Sequence, residues 1–503
     1  MKTFSLQWLA ILGATAVTSA LGVASCSAVR TDGTNVASVP SPATGGANDA
    51  GPAGVARSAP EVSYFKDIRP LLDTHCTGCH TDGGIAFSLR DAEAVRNKKS
   101  TVVHAVESRQ MPIWLAAPGH QSYRDDPTLS DAEIDLFRRW RDGGFAWGSP
   151  SDAPKEAKGA PAQGDIEGDF RAPLLAKGVS YLPDQNNADD YRCFLVEWPY
   201  RDQVKYMTGM QVVPGKREVV HHLVVFGVDA AIAPALHALD AEEPGPGYQC
   251  LGGPLPDRLS DPKVQKRIGA KFPGVIDLLK HGRATDWLGH WAPGMRGTTF
   301  PEGTGMPLRK GGLVVVQVHY YSRTAPGVAD TGGEIRFALA DRVAKPGFML
   351  PLSYDPWLDS EVNRTLVVPP GKKATVQYAM SLNDVLEYGK AATGLKGDVE
   401  ALELHTVNVH MHSYGASAQT YLEAADGSRD VLLDIPRWDI NWQRNYVLNA
   451  PKVIKPEEAA RMKIDVSCTF ANDGSKEVIG GLGSNDEMCF DFSFFALRPK
   501  ARL

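Results

Sequence analysis

From about residue 166 onward the chain is a succession of short alternating apolar runs broken by Gly and Pro. REVVHHLVVFGVD (217–229), GGLVVVQVHYYS (311–322), LELHTVNVHMHSYG (402–415) and ARMKIDVSCTF (460–470) are the clearest. A period of two marks strands that bury one face and can present polar groups on the other. Many such strands, with no long helical repeat among them, specify antiparallel sheets packed as sandwiches. A chain of 503 residues exceeds one ordinary domain. The expectation is a mainly β protein with two antiparallel sandwiches, over 166–328 and 329–503.

Upstream the pattern changes. Residues 61–148 carry helical signals: in LSDAEIDLFRRWRDGG, Ser130 and Glu133 form a capping box. Ile134, Phe137 and Trp140 follow at helical spacing, and Gly143-Gly144 stop the run. Residues 27–60 and 149–165 are rich in Ala, Gly, Ser and Pro and read as linkers. The first residues, MKTFSLQWLAILGATAVTSALGVASCSAVR, have the layout of an export signal. Val23-Ala24-Ser25-Cys26 resembles a bacterial lipobox, which implies residues 1–26 as signal peptide, lipidation at Cys26 and a membrane anchor. Ser27 after that cysteine points to the outer membrane. Net charge is −6 with no basic block, so nucleic acid is not an expected partner.

His75-Cys76-Thr77-Gly78-Cys79-His80 contains C-x-x-C-H. Two thiols at this spacing can add to haem vinyl groups while the adjacent His80 reaches the iron. A redox CxxC pair is the alternative. The stretch from FKDIRPLLDTHCTGCH through MPIW to the capped helix resembles bacterial cytochrome c-like domains. That implies one covalent haem c with Met111 as sixth ligand; His104 and His120 are competitors, and His75 reads as solvent-facing.

Thirteen histidines occur, and several stand in strands. His410 and His412, two apart, share a strand face with Asn408, while Met411 points the other way. His319 shares a face with Gln317 and Val315. His221 and His222 are adjacent, so both can reach one metal only near a strand end or bulge. Imidazoles grouped in this way suit copper or zinc. His405 faces away from His410, and His290, in LGHWAPG, is either a loop residue or a substrate contact. Tyr191 and Gln317 either line a site or merely pack. Beyond Cys26 and the haem pair, four cysteines remain, which allow three pairings into two disulfides.

REVVHHLVVFG, VVVQVHYY, VNVHMHSYG, VSCTF and GSNDEMCFDFSFF, in this order over about 190–500, resemble the copper type II, ascorbate-dependent monooxygenases. This is the family of the peptidylglycine α-hydroxylating and dopamine β-monooxygenases. The resemblance implies two jelly-roll-like sandwiches, each carrying one copper: one on His221, His222 and His319, the other on His410, His412 and Met488. It implies C–H hydroxylation of a small-molecule substrate with O2 at the second copper, the first acting as electron reservoir. A thioether at Met488 favours Cu(I) over zinc. The favoured disulfides, Cys193–Cys250 and Cys468–Cys489, also match the family. Two departures stand out. Peptide-hydroxylating relatives hold a substrate carboxylate with an arginine just before the HxH pair and with polar residues after the Met; here Asn408, Phe490 and Phe492 occupy those places, which points to a more apolar or aromatic substrate. The haem unit implies electrons from a periplasmic donor, an ascorbate-like reductant or a cytochrome. A non-catalytic electron-transfer or copper-binding lipoprotein is the alternative reading, and a sandwich with vestigial copper sites a third. No hydrolase motif is present.

Overall fold

A computed structural model describes residues 61–80, 87–124, 126–154, 166–250, 253–280, 285–292, 295, 297–353, 366–481 and 486–500. The export signal, Cys26 and the linker 27–60 lie outside these residues.

The N-terminal part is helical. Helix α1 (Arg69–His75) follows a π-helical turn at Tyr64–Ile68, α2 spans Ala92–Glu107 and α3 spans Asp131–Asp142. The Asp91 side chain caps α2, and the Ser130–Glu133 box caps α3 on both sides. Ile134, Phe137 and Trp140 are buried as their spacing requires, against Tyr64, Ile68, Leu72, Val95 and Val103.

The rest is mainly β. Among the described residues a ten-stranded sheet runs in the order Phe170–Pro173, Glu334–Ala340, Lys205–Val213, Thr304–Leu308, Lys345–Ser353, Phe490–Pro499, Val399–Val407 and Tyr446–Ile454, with two short strands off this path. A five-stranded sheet (Tyr248–Gln249, Asp189–Glu197, Leu313–Tyr321, Val220–Val228, Thr285–Trp291) and a four-stranded one (Lys373–Ser381, Lys463–Ala471, Gly415–Glu423, Arg429–Ile435) pack with it. Among the described strands, pairing is antiparallel except where Lys345–Ser353 meets Thr304–Leu308 in parallel, joining the halves. The two sandwiches thus share one continuous sheet. The strand Glu334–Ala340 pairs with Phe170–Pro173 and Lys205–Val213, so it sits in the first half, not beyond a boundary at 328/329.

Alternation decides the faces. Val314, Val316, Val318 and Tyr320 point into the sandwich core, and Val315 points outward under helices Ala233–Asp240 and Pro262–Lys271. Those helices were not expected in a stretch so rich in Gly and Pro. Asp261 caps the second and Pro262 starts it, a local N-terminal signal that the strand pattern obscures. Cys193–Cys250 and Cys468–Cys489 are both formed, closing separations of 57 and 21 residues. On the chain-entropy account such loops stabilise by about 3–4 kcal/mol each.

The segment after α2 fastens the helical part to the second sandwich. Ala117 N donates to Asp434 O (2.7 Å), Arg124 N to Val447 O (2.8 Å), and Asn449 N to Ser122 O (3.0 Å). Trp114, Tyr123 and Tyr446 pack edge to face with centroids 4.9–5.6 Å apart.

Buried Asp491 accepts from Thr420 Oγ1 (2.8 Å) and Ser493 Oγ (2.5 Å). Burial pushes its carboxyl from 3.8 up to about 7. The fold therefore favours the neutral acid, and this stabilisation is present below about pH 4 and lost as pH rises through about 7. Asp491→Asn is expected to flatten the dependence of Tm on pH between 4 and 7, measured by thermal melts across that range.

Candidate metal centres and the cavity between them

His221 and His222 meet the condition that adjacency imposed. The strand Val220–Val228 pairs with Leu313–Tyr321, and the register slips between Val220 and His222. His221 is the extra residue of this bulge, so both imidazoles turn toward His319, the cross-strand partner of His222. The three Nδ1 atoms stand 3.2–3.3 Å from one another. His319 is buried; its Nε2 faces Asp189 Oδ1 at 2.8 Å, and its ring stacks on Tyr191 at 4.1 Å and 6°. With Nε2–H donated to the carboxylate, the Nδ1 lone pair is left for a metal. Burial, reinforced by the neighbouring His319, holds His221 down at about 4, and the same causes hold His222 well below its ordinary value. Three imidazoles at this separation form a donor set that fits copper or zinc.

The second group comes from two strands and a loop. Val409–His410 pairs with Phe490–Pro499, opposing His410 to Phe490, while Met411 is buried in the core. His410 Nδ1 is bonded to Gln443 Oε1, and His412 Nδ1 lies 2.9 Å from Asp486 O. Both rings therefore keep Nε2 for a ligand, the opposite choice from the first site. Burial, then the neighbouring His412, holds His410 down at about 3. Met488 lines the same cavity, beside the Cys468–Cys489 bridge. Two imidazoles and a thioether suit Cu(I).

Glu487 was not legible in the sequence. Its buried carboxylate accepts from the backbone N–H of His412 (2.9 Å) and of Tyr414, with the Met488 and Gly415 amides also bonded to it. One side chain thus ties the turn after the HxH strand to the loop that carries Met488. Trp438 Nε1 donates to His412 O at 3.1 Å, bracing the same turn. Neither partner could be found from spacing, because each lies 26 or more residues away.

A cavity of about 120 Å³ reaches both groups: His222 and Tyr191 line it, and so do His410, His412 and Met488. Asn408, Phe490 and Phe492 line it as well, with Trp287, which the sequence reading passed over. Trp287 and Phe492 are stacked at 4.2 Å. Gln317 also lines the cavity and donates to Cys250 O (2.8 Å) and Gly253 O (3.0 Å). His290 is a strand residue on the cavity wall rather than a loop histidine. His405 lies elsewhere, buried against Glu403 at 3.0 Å.

At the CxxCH segment, Cys76 and Cys79 are thiols and Cys76 is buried. Burial pushes the Cys76 thiol up to about 12, the reverse of what a redox-active pair needs. His80 Nδ1 lies 2.9 Å from Phe87 O, which leaves Nε2 for an axial bond. These residues fit a covalent haem. His75 is not solvent-facing: its side chain is 13% exposed, with Nδ1 3.0 Å from Pro127 O and Nε2 3.6 Å from Glu133. Among candidate sixth ligands, Met111 is half-buried just after α2, His104 is exposed, and His120 lies 3.5 Å from Asp434.

Residues 362–502 match the family model described as copper type II ascorbate-dependent monooxygenase, C-terminal domain. The matched segment contains His410, His412 and Met488. No curated protein matches the chain. Among solved structures, the chain is similar to that of infectious bursal disease virus Gx strain, at 9% identity and a TM-score of 0.16, over 67% of this chain and 72% of that one. It is also similar to the major capsid protein P2 from bacteriophage PM2, at 7% identity and a TM-score of 0.20, over 66% of this chain and all of that one. Scores this low say nothing about function.

Proposed function

We propose that the chain is a copper-dependent monooxygenase that hydroxylates a C–H bond of a small organic substrate with O2. The observation that carries this reading is a pair of donor sets at one cavity: three converging imidazole Nδ1 atoms, of whose residues His222 lines the cavity, and His410, His412 and Met488, which all line it. Two copper ions on these sets would supply one-electron transfer and O2 activation. The protein's own share is orientation. Asp189 fixes the His319 tautomer, Gln443 and the Asp486 carbonyl fix those of His410 and His412, and Glu487 sets the Met488 loop. The test is a metal count on the purified chain followed by turnover under ¹⁸O2. About two coppers per chain, with one labelled oxygen in the product, support it. Copper without product leaves the non-catalytic electron-transfer reading, and no copper after reconstitution removes both copper readings.

A haem on Cys76, Cys79 and His80, with Met111 as sixth ligand, is part of the proposal, as electron relay from a cytochrome or an ascorbate-like donor. Its support is the route that follows Met111 in the chain. Trp114 packs against Tyr446 at 4.9 Å and under the Arg444 guanidinium at 5.2 Å, and the neighbouring Gln443 bonds His410. Reoxidation of the reduced haem is expected to need copper, to be independent of protein concentration because donor and acceptor are tethered, and to slow in Trp114→Leu. Stopped-flow haem absorbance reads all three; reoxidation indifferent to copper removal would end the relay idea. Export and anchoring through Cys26 complete the proposal, since haem attachment to CxxCH occurs outside the cytoplasm.

A further inference from the structure

We infer that the segment 114–124 is a positioning clamp for the donor set His410, His412 and Met488: it ties two sheet edges together and so fixes the loop that orients both imidazoles. The inference rests on the copper reading of that set and needs no haem.

The clamp lies where the second sandwich has two edges. Among the described residues, Arg429–Ile435 ends the four-stranded sheet and Tyr446–Ile454 ends the ten-stranded one. An edge strand has backbone groups with no strand to pair them. The loop 436–445 crosses from one edge to the other. Its two ends are held only as firmly as those edges are.

The segment after α2 covers both. Toward Arg429–Ile435, Ala117 N donates to Asp434 O (2.7 Å), and Gln121 Nε2 donates to Asp430 Oδ1 (2.8 Å) and Val431 O (2.7 Å). Toward Tyr446–Ile454, Arg124 N donates to Val447 O (2.8 Å), Asn449 N donates to Ser122 O (3.0 Å), and Trp114 packs on Tyr446 at 4.9 Å. Tyr123 serves both edges: its hydroxyl donates to Leu432 O (2.8 Å) and its ring meets Tyr446 at 5.4 Å.

The loop in turn holds the donor strand. Trp438 Nε1 donates to His412 O (3.1 Å), Gln443 Oε1 accepts from His410 Nδ1, and Asn445 Oδ1 accepts from Asn408 Nδ2 (2.8 Å). A shift of either edge therefore moves the partner of an imidazole, and the outer partner of a ligand is worth about 10–100-fold in metal affinity. Among the described residues no hydrogen bond or ring contact runs from the clamp or the loop to His221, His222 or His319. The effect should be confined to one donor set.

The test is a titration of the full chain with copper(I) against a chromophoric competing chelator. His319→Ala leaves the second set to be read alone, and Met488→Ala the first. Adding Trp114→Ala should weaken copper(I) at the second set about tenfold and change the first less than about twofold. Trp114→Phe, which keeps a ring on Tyr446, should restore the second set to within about twofold. Gln121→Ala, which removes two hydrogen bonds to one edge, should cost about threefold. Coupling is reciprocal, so copper(I) on the second set should slow hydrogen exchange at the Ala117 and Arg124 amides by a similar factor. Copper(I) on the first set should leave those amides unchanged. This measurement needs no change in the clamp and decides the matter if Trp114→Ala does not fold. Equal affinity of the second set with and without the clamp variants overturns the inference, as do equal losses at both sets, or exchange at Ala117 and Arg124 that ignores copper. Copper(I) bound by His319→Ala but indifferent to the clamp sinks the inference and spares the copper reading. No copper(I) bound by His319→Ala sinks both.

Discussion

His319→Ala is expected to cut bound copper from about two ions per chain to about one and to abolish O2-dependent product formation. His319 is where the first site is built. It supplies one of three converging Nδ1 atoms, it is 2% exposed, and its other nitrogen is held by Asp189 while Tyr191 covers its ring. Loss of a hydrogen-bonded supporting residue weakens a metal site by about 10–100-fold, so loss of a ligand costs at least about 100-fold. Asp189→Asn, which keeps all three ligands, should fall in the lower band. Metal analysis after dialysis against a competing chelator ranks the variants. Copper retention in His319→Ala equal to wild type would mean that the three imidazoles are structural.

The second large effect is expected at a residue that touches no metal. Glu487→Leu should destabilise the fold by about 1–3 kcal/mol for each backbone amide it leaves buried and unpaired. The amides of His412, Tyr414, Met488 and Gly415 would lose the oxygens they share. The same change should weaken copper at His410, His412 and Met488 by about 10–100-fold while sparing the His319 site. Urea unfolding and a copper titration on one preparation give both numbers. Destabilisation with unchanged copper affinity would show that Glu487 supports the fold alone and does not position the ligands.

The candidate site divides cleanly into what was legible and what was not. His410 and His412 were legible because a strand's period of two is local. The bulge at His221 and His222 was legible as a condition, since two adjacent residues cannot otherwise face one way. The capped helix at Ser130 and the CxxCH segment were legible for the same reason, because each is complete within a few residues. Met488 had no periodic signal and was reached only through resemblance. Asp189, Gln443, Glu487 and Trp287 were invisible: they stand 130, 33, 75 and 205 residues from His319, His410, His412 and Phe492 respectively. The helix that starts at Pro262 carried a local signal that the surrounding Gly and Pro masked.

By itself the sequence determined the kinds of element and the kinds of donor: strands with one polar face, imidazoles in pairs and in a bulge, a thioether, and two thiols beside a histidine. These depend on dihedral preferences and side-chain chemistry that neighbouring residues settle among themselves. Only the tertiary structure decided that the halves share one ten-stranded sheet, that His222 and the second donor set line one cavity, and which nitrogen of each histidine is turned to a metal. Those outcomes hang on strand pairing and on hydrogen bonds between residues far apart in the chain, where register rather than local preference selects the partner.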